Sequence, residues 1–409
     1  MRLLRRPAVR AAALVLGVAP VAVGTLAATG ASYAAPAPEA ARTAPQPSST
    51  ELPRGSLLTH RPLRTAAALP SARRTELVTY MSKGVGGQRV VVSGTVALPT
   101  TRPPAGGWPV LSWAHGTTGT ADECAPSADR VGGPAHDYLG RVDETLDRWV
   151  DRGYVVVQTD YEGLGTPGDH PYINGASARR SVEDIVRAAR RLDRRVGRDY
   201  VAAGHSQGGH AALFTGGSPG KRTDIRLRGV VAIAPGGVGL SQTAPYIQSN
   251  QPGADRALGF LPPLLLGAEA GDPTIDASAW VTAEGERLLA AGRTGCLGDI
   301  REVAAGIKAV DVFRPDVDLS ALGRYLRRQE LPGPRLRVPT MIAQGTADTA
   351  VGKPGVDQLV SSLCGAGADV TYRVYEGADH RAAVETSYAD AAAFARTVLK
   401  GGKPAGTCD

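Results

Sequence analysis

Ser206 stands at the centre of Gly204-His205-Ser206-Gln207-Gly208, a G-x-S-x-G pattern. Asp199 to Ala203 before it reads as a short buried strand, and Gly209 to Phe214 after it as the first turns of a helix. In that setting the serine sits on a turn so tight that side chains at the flanking positions would strike neighbouring elements, a collision glycine avoids. A serine hydroxyl is a weak nucleophile unless a base takes its proton and an acid orients that base. His210 lies four residues on, along the same helix, and would point away from the hydroxyl. Beyond it the chain has one histidine, His380, in a Gly-containing loop after a predicted strand. The chain order Ser, Asp/Glu, His asks for a carboxylate between them. Asp348, after a strand and a Gly-Thr turn, is the best placed. Asp316, Asp318, Glu376 and Asp379 are rivals, the first two in a different segment and the last two close to His380 in sequence.

The chemistry such a set performs is acyl transfer. A tetrahedral intermediate needs N–H donors for its oxyanion. One is expected from Gln207, next to the nucleophile, and the second from the loop His115-Gly116-Thr117, with Thr117 as the donor. Gly116 lets the backbone approach the substrate, and His115 is expected to shape the loop.

The elements that must position these residues follow a rhythm. Thr75–Ser82 and Arg89–Leu98 read as a β-hairpin around Gly84 to Gly87. Val110–Ala114, Tyr154–Gln158, residues 199–203, Val230–Ala234, Val338–Ala343 and Val370–Tyr375 read as buried strands. Tyr138–Arg152, Ser181–Val196, Val356–Leu363 and a last segment to about Leu399 read as helices. Strands alternating with helices predict an α/β fold, a mainly parallel sheet with helices on both faces. Between residues 236 and 335 the rhythm stops, and a hundred residues without a strand signal is too long for a loop. It is expected to be an inserted, mostly helical cap or lid, leaving 56–235 and 336–409 as the core. Its Leu258–Leu266 run could line an acyl channel or pack between cap helices.

The 409 residues carry 43% apolar and 21% charged side chains, ordinary globular values. Arg2, Arg5, Arg6 and Arg10 lie in residues 1–34, which hold no acid, so the net charge of +7 falls to +3 without them. No basic run is interleaved with aromatics, which argues against nucleic acid as a partner. A basic start, the apolar stretch Ala11 to Ala28 and Ser32-Tyr33-Ala34 read as a signal peptide over residues 1–34, cleaved after Ala34. Residues 35–55, rich in Ala, Pro, Ser and Thr, read as a flexible leader. Four cysteines, Cys124, Cys296, Cys364 and Cys408, suit secretion to an oxidising compartment and allow three pairings. No C-x-x-C spacing exists, so no metal site is indicated.

Four segments carry a family resemblance: Ala114-His115-Gly116-Thr117; Thr159 to Gly165 with His170-Pro171-Tyr172; Gly204 to Gly209; and the late Asp348 and His380 loops. From about Thr75 to the C-terminus the chain resembles the secretory lipases of lipase A type and their actinobacterial relatives, in the α/β-hydrolase superfamily. The resemblance implies a cap over an acyl-binding cleft, no cofactor, Asp160 and Tyr161 shaping the site, and disulfides Cys124–Cys296 and Cys364–Cys408. The expectation is a secreted serine hydrolase of carboxylic esters, with acylglycerol-like lipid esters as substrates and a lipid–water interface as a partner surface. The same residues would also serve a peptidase or an acyltransferase. A binding protein on an inactive scaffold would need a member of the set to be missing.

Overall fold

The computed structural model describes residues 52–217, 224–333 and 335–408. The expected signal peptide, and the leader as far as residue 51, lie outside the described residues.

Nine strands form one sheet: β1 (Leu57–Pro62), β2 (Ala72–Lys83), β3 (Arg89–Pro99), β4 (Trp108–Ala114), β5 (Val155–Thr159), β6 (Val196–His205), β7 (Arg226–Ile233), β8 (Thr340–Gly345) and β9 (Val370–Tyr375). Their order is β1-β2-β3-β5-β4-β6-β7-β8-β9. The first three are antiparallel, β3 joins β5 antiparallel, and every pairing from β5 to β9 is parallel. The helices α1 (His136–Asp151), α2 (Gly175–Leu192) and α3 (Gln207–Gly216) follow β4, β5 and β6. Between β7 and β8 come α4 (Leu240–Gln248), α5 (Leu261–Gly271), α6 (Ala283–Thr294), α7 (Leu297–Ala305) and α8 (Ser320–Arg327). Then α9 (Lys353–Gly365), α10 (Ala382–Thr386) and α11 (Tyr388–Leu399) complete the chain.

Side chains alternate across a strand, so a sheet covered on both faces sorts neighbouring residues into two cores. Val110, Val155, Val157, Ala202, Val230 and Ala232 join the core under α2, α3 and α9. Leu111, Val156, Val201, Ala203, Val231 and Ile233 join the other, under α1, α10 and α11. The segment between β7 and β8 has its own core, into which Leu258, Leu261, Leu264 and Leu265 are packed. Most of the Leu258–Leu266 run is therefore internal packing of that segment.

The edge strand β1 and the extent of α2, which ends at Leu192 with Val196 opening β6, depart most from the sequence reading. The edge strand β1 gave no signal because four of its six residues are exposed and it ends in proline, as edge strands do. Helix α2 starts at Gly175 rather than Ser181, with Asn174 capping it by accepting from Ser177 N–H at 3.0 Å. Gly175-Ala176-Ser177-Ala178 is too small and polar to show helical periodicity. The last residues of the expected leader are held in place. Arg54 bonds Asp184 at 2.8 Å and Glu183 at 3.1 Å, and Gly55 N–H donates to Met81 carbonyl at 2.6 Å.

Two disulfides close the fold, Cys124–Cys296 and Cys364–Cys408. The first ties the loop after β4 to the start of α7, beside a Leu297 N–H to Thr118 carbonyl bond of 2.8 Å. It closes a span of 172 residues, and cross-links of that size restrict the unfolded chain strongly. Replacing both Cys124 and Cys296 by serine is expected to cost about 2–5 kcal/mol in urea unfolding. A loss under about 0.5 kcal/mol would show that the bridge adds nothing to the fold.

Candidate active site

Ser206 joins β6 to α3 with φ 57° and ψ −116°, a conformation L-residues rarely adopt. Its surroundings hold it there: Ser206 N–H donates to Ile233 carbonyl at 2.9 Å, and Ser206 carbonyl accepts from Gly236 at 3.0 Å and His210 at 3.1 Å. The flanking glycines are required by space. A Cβ on Gly208 would stand 1.8 Å from Ala114 carbonyl oxygen, and one on Gly204 would stand 2.2 Å from that of Gly208. The turn therefore lies flush against the end of β4.

Ser206 shares a cleft of about 40 Å3 with His380, Gly116, Thr117, Tyr138 and Phe260, among others. His380 Nδ1 lies 2.8 Å from Asp348 Oδ2, and the carboxylate side chain is fully buried while the imidazole is 19% exposed. Gln344 Nε2 donates to the same oxygen at 3.2 Å, and the N–H groups of Ala350 and Val351 donate to Oδ1 at 2.9 and 2.8 Å. Burial opposes the charge on Asp348, but the bond and charge of His380 together with those N–H donors outweigh it. Its carboxyl is held below the ordinary value. A carboxylate only accepts, so His380 carries its proton on Nδ1 and presents a lone pair at Nε2. Two of the four rival acids are engaged elsewhere: Asp318 accepts from Ser320, and Asp379 accepts from the N–H groups of Arg381 and Ala382.

A second chain of bonds runs behind this couple. His205 Nε2 lies 2.8 Å from His380 carbonyl oxygen, Nδ1 lies 2.9 Å from Tyr138 hydroxyl, and that hydroxyl lies 2.8 Å from Gly116 N. Burial, then the neighbouring His380, lowers the His205 pKa to about 3, so the ring is neutral with one proton. A carbonyl can only accept, so the proton is on Nε2, Tyr138 donates to Nδ1, and Gly116 N–H donates to Tyr138. The loop after β4 is thereby linked to the backbone of His380. Gly116 is needed for this too, since a Cβ there would come within 2.5 Å of the Tyr138 hydroxyl.

Gly116 N–H is consumed by that bond. The N–H groups of Thr117 and of Gln207, first residue of α3, have no protein acceptor among the described residues. Both residues are clamped by one segment. His170 takes the proton on Nδ1, facing Glu162 carbonyl at 2.8 Å, and its Nε2 meets Gln207 Nε2 at 3.1 Å. Tyr172 hydroxyl bonds Thr117 Oγ1 at 2.7 Å. His115 is buried with Nδ1 2.7 Å from Gly116 carbonyl, its pKa lowered to about 3 by burial, and its ring is 4.4 Å from that of Tyr161. Tyr161 hydroxyl donates to His115 carbonyl at 2.9 Å. Asp160 lies deeper, accepting from Ser93 at 2.6 Å and from Ser127 N–H at 2.9 Å; burial raises its pKa. These residues brace the loop from below. His210 turns away to Gln329 carbonyl at 2.7 Å.

Tyr138, His205, His170, Tyr172 and Gln344 had no assigned role in the sequence reading. His205 lay inside the motif and the His170–Tyr172 segment carried the resemblance, so these two left a trace. Tyr138 was only the first residue of a helical segment.

No protein-family model matches the chain. No curated protein matches it by sequence. Among solved structures, Candida antarctica lipase A superposes with a TM-score of 0.71 at 18% identity, covering 88% of this chain and 86% of that one. The rice cell wall degrading esterase LipA from Xanthomonas oryzae gives 0.66 at 21% identity, covering 86% and 100%. A putative hydrolase from Legionella pneumophila gives 0.64 at 18%, covering 84% and 98%. The chain has the α/β-hydrolase fold.

Gly208→Ala is expected to destabilise by about 3 kcal/mol or more, because the new methyl must displace backbone. Gly106→Ala, with nothing within 4 Å of the new Cβ, should be neutral in the same thermal melt. Equal melting temperatures for the two variants would show that the turn does not press on β4.

Proposed function

We propose that the protein is a secreted serine hydrolase of carboxylic esters that works without a cofactor. The observation that carries this reading is the convergence of Ser206, on its strained turn, and His380, bonded to Asp348 at 2.8 Å, in one small cleft.

In this reading the proton of Ser206 passes to His380 Nε2 as Oγ bonds the acyl carbon. The negative oxygen that forms lies toward the N–H groups of Thr117 and Gln207, where the start of α3 also favours negative charge. His380 returns the proton to the leaving alcohol oxygen as the C–O bond breaks. Water repeats the sequence on the acyl-enzyme, releasing the acid. Asp348 keeps His380 in the productive tautomer and offsets the charge of the imidazolium.

The neighbours named as a lipase and as an esterase support an ester rather than an amide. The space directly beside Ser206 is small, about 40 Å3, which favours short acyl chains. Long acylglycerol chains would require the helical segment over the cleft, residues 236–335, to shift as a lid. Two disulfides support export to an oxidising compartment, and cleavage near Ala34 rests on the sequence pattern alone. No helix among the described residues is long and apolar enough to cross a membrane.

The test is hydrolysis of p-nitrophenyl esters from acetate to palmitate. Wild type should turn over acetate and butyrate at least about tenfold faster than palmitate, the direction the small space beside Ser206 favours. Ser206→Ala should fall to background, and Asp348→Asn should lose about 10^3–10^4-fold in kcat. An undiminished rate in Ser206→Ala would sink the reading.

A further inference from the structure

Two arginines line the cleft that holds Ser206. Arg301 projects from α7, and Arg381 directly follows His380. Both also line an adjoining cavity of about 120 Å3 beside Thr117 and Leu297, and Arg301 borders a third, of about 620 Å3, with Arg256 and Lys308. Neither guanidinium is ion-paired among the described residues; Arg301 lies 5.1 Å from the Phe260 ring centre and Arg381 5.8 Å from that of Tyr138. Both arginines are exposed, so their charges stand open to an arriving ligand, whereas the buried Arg187 of the core is paired with Asp184 at 2.9 Å and Asp224 at 2.5 Å.

Two like charges facing one cleft repel each other, weakly where both residues are exposed to water and salt. Burial and then the charge of Arg381 lower the pKa of Arg301. A positive charge beside an imidazole also opposes its protonation, and Arg381 acts in that sense on His205. Asp137 lines the adjoining cavity, and Asp255 borders the third with Oδ1 already bonded to Ala309 N–H at 2.7 Å. Guanidinium groups match the geometry of carboxylate and phosphate oxygens. An anion bound between them would offset their mutual repulsion.

We propose that the ester taken by this cleft carries an oxyanion, a carboxylate or a phosphate, held by Arg301 and Arg381 while its carbonyl faces Ser206. This rests on the ester-hydrolase reading and narrows its substrate class from neutral to acidic esters. The anion enters no bond-making step; it orients the ester and screens the two guanidiniums.

The test compares matched pairs on the full secreted chain. One pair is mono(p-nitrophenyl) glutarate against p-nitrophenyl butyrate. The other is monobutyryl glycerol 3-phosphate against monobutyryl glycerol, followed by acid release. In wild type at low salt, kcat/KM for at least one acidic ester should exceed that of its neutral partner about tenfold, and which pair shows it tells carboxylate from phosphate. That ratio should collapse in Arg301→Gln and in Arg381→Gln, and shrink in wild type at about 0.5 M NaCl. The salt series needs no variant, so it holds even where a substitution harms folding. Hydrolysis of the neutral esters with no acidic preference overturns this proposal and leaves the ester-hydrolase reading standing. A preference that survives both substitutions overturns the assignment to these arginines. Failure to hydrolyse any of the four esters overturns both readings.

Discussion

The candidate site depends on one close approach, that of the Ser206 turn to the end of β4. A Cβ at either Gly204 or Gly208 would enter the backbone there, 2.7 Å and 1.8 Å from Ala114 carbonyl oxygen respectively. With both absent, the first turn of α3 lies beside the loop that leaves β4. Two elements far apart in the chain, each with an N–H group that has no protein acceptor among the described residues, then meet beside Ser206. The strained conformation of Ser206 persists because β7 and the loop after it bond to the turn from the other side.

Around this contact, buried imidazoles serve as rigid struts. His115, His170 and His205 are all pushed by burial to pKa values of about 3 to 4, so they stay neutral and each has one donor and one acceptor end. Both ends of His170 and His205 are matched, one to a backbone carbonyl and the other to an amide or a phenol, whereas His115 donates from Nδ1 to Gly116 carbonyl and its Nε2 faces Asp160 carbonyl at 3.5 Å. His380 differs from them in being partly exposed and in facing a carboxylate held in its charged form. The environment thus separates one imidazole suited to move a proton from three that hold structure.

Ser206, His380 and Asp348 were readable in the sequence because the chemistry restricts residue type and the fold restricts their place to the ends of strands. The parallel strands were readable because burial on both faces leaves continuous apolar runs such as Tyr154 to Val157. The bracing was not. Tyr138 meets His205 across 67 residues, and nothing in the spacing of an amphipathic helix says that one tyrosine donates to an imidazole. The Leu258–Leu266 run illustrates another limit, since an apolar stretch reads the same whether it lines a channel or fills a core. Arg301 looked like any charge on a helix; its place at the cleft depends on how α7 is tied to the loop after β4 by Cys124 and Cys296.

The most direct test of the central claim, that His380 and Asp348 activate Ser206, is fluorophosphonate labelling followed by peptide mapping. Wild type is predicted to carry the adduct on Ser206, and His380→Ala to label about 10^3-fold more slowly, the scale on which such a base contributes. An adduct elsewhere, or an equal labelling rate in the two proteins, would contradict the account.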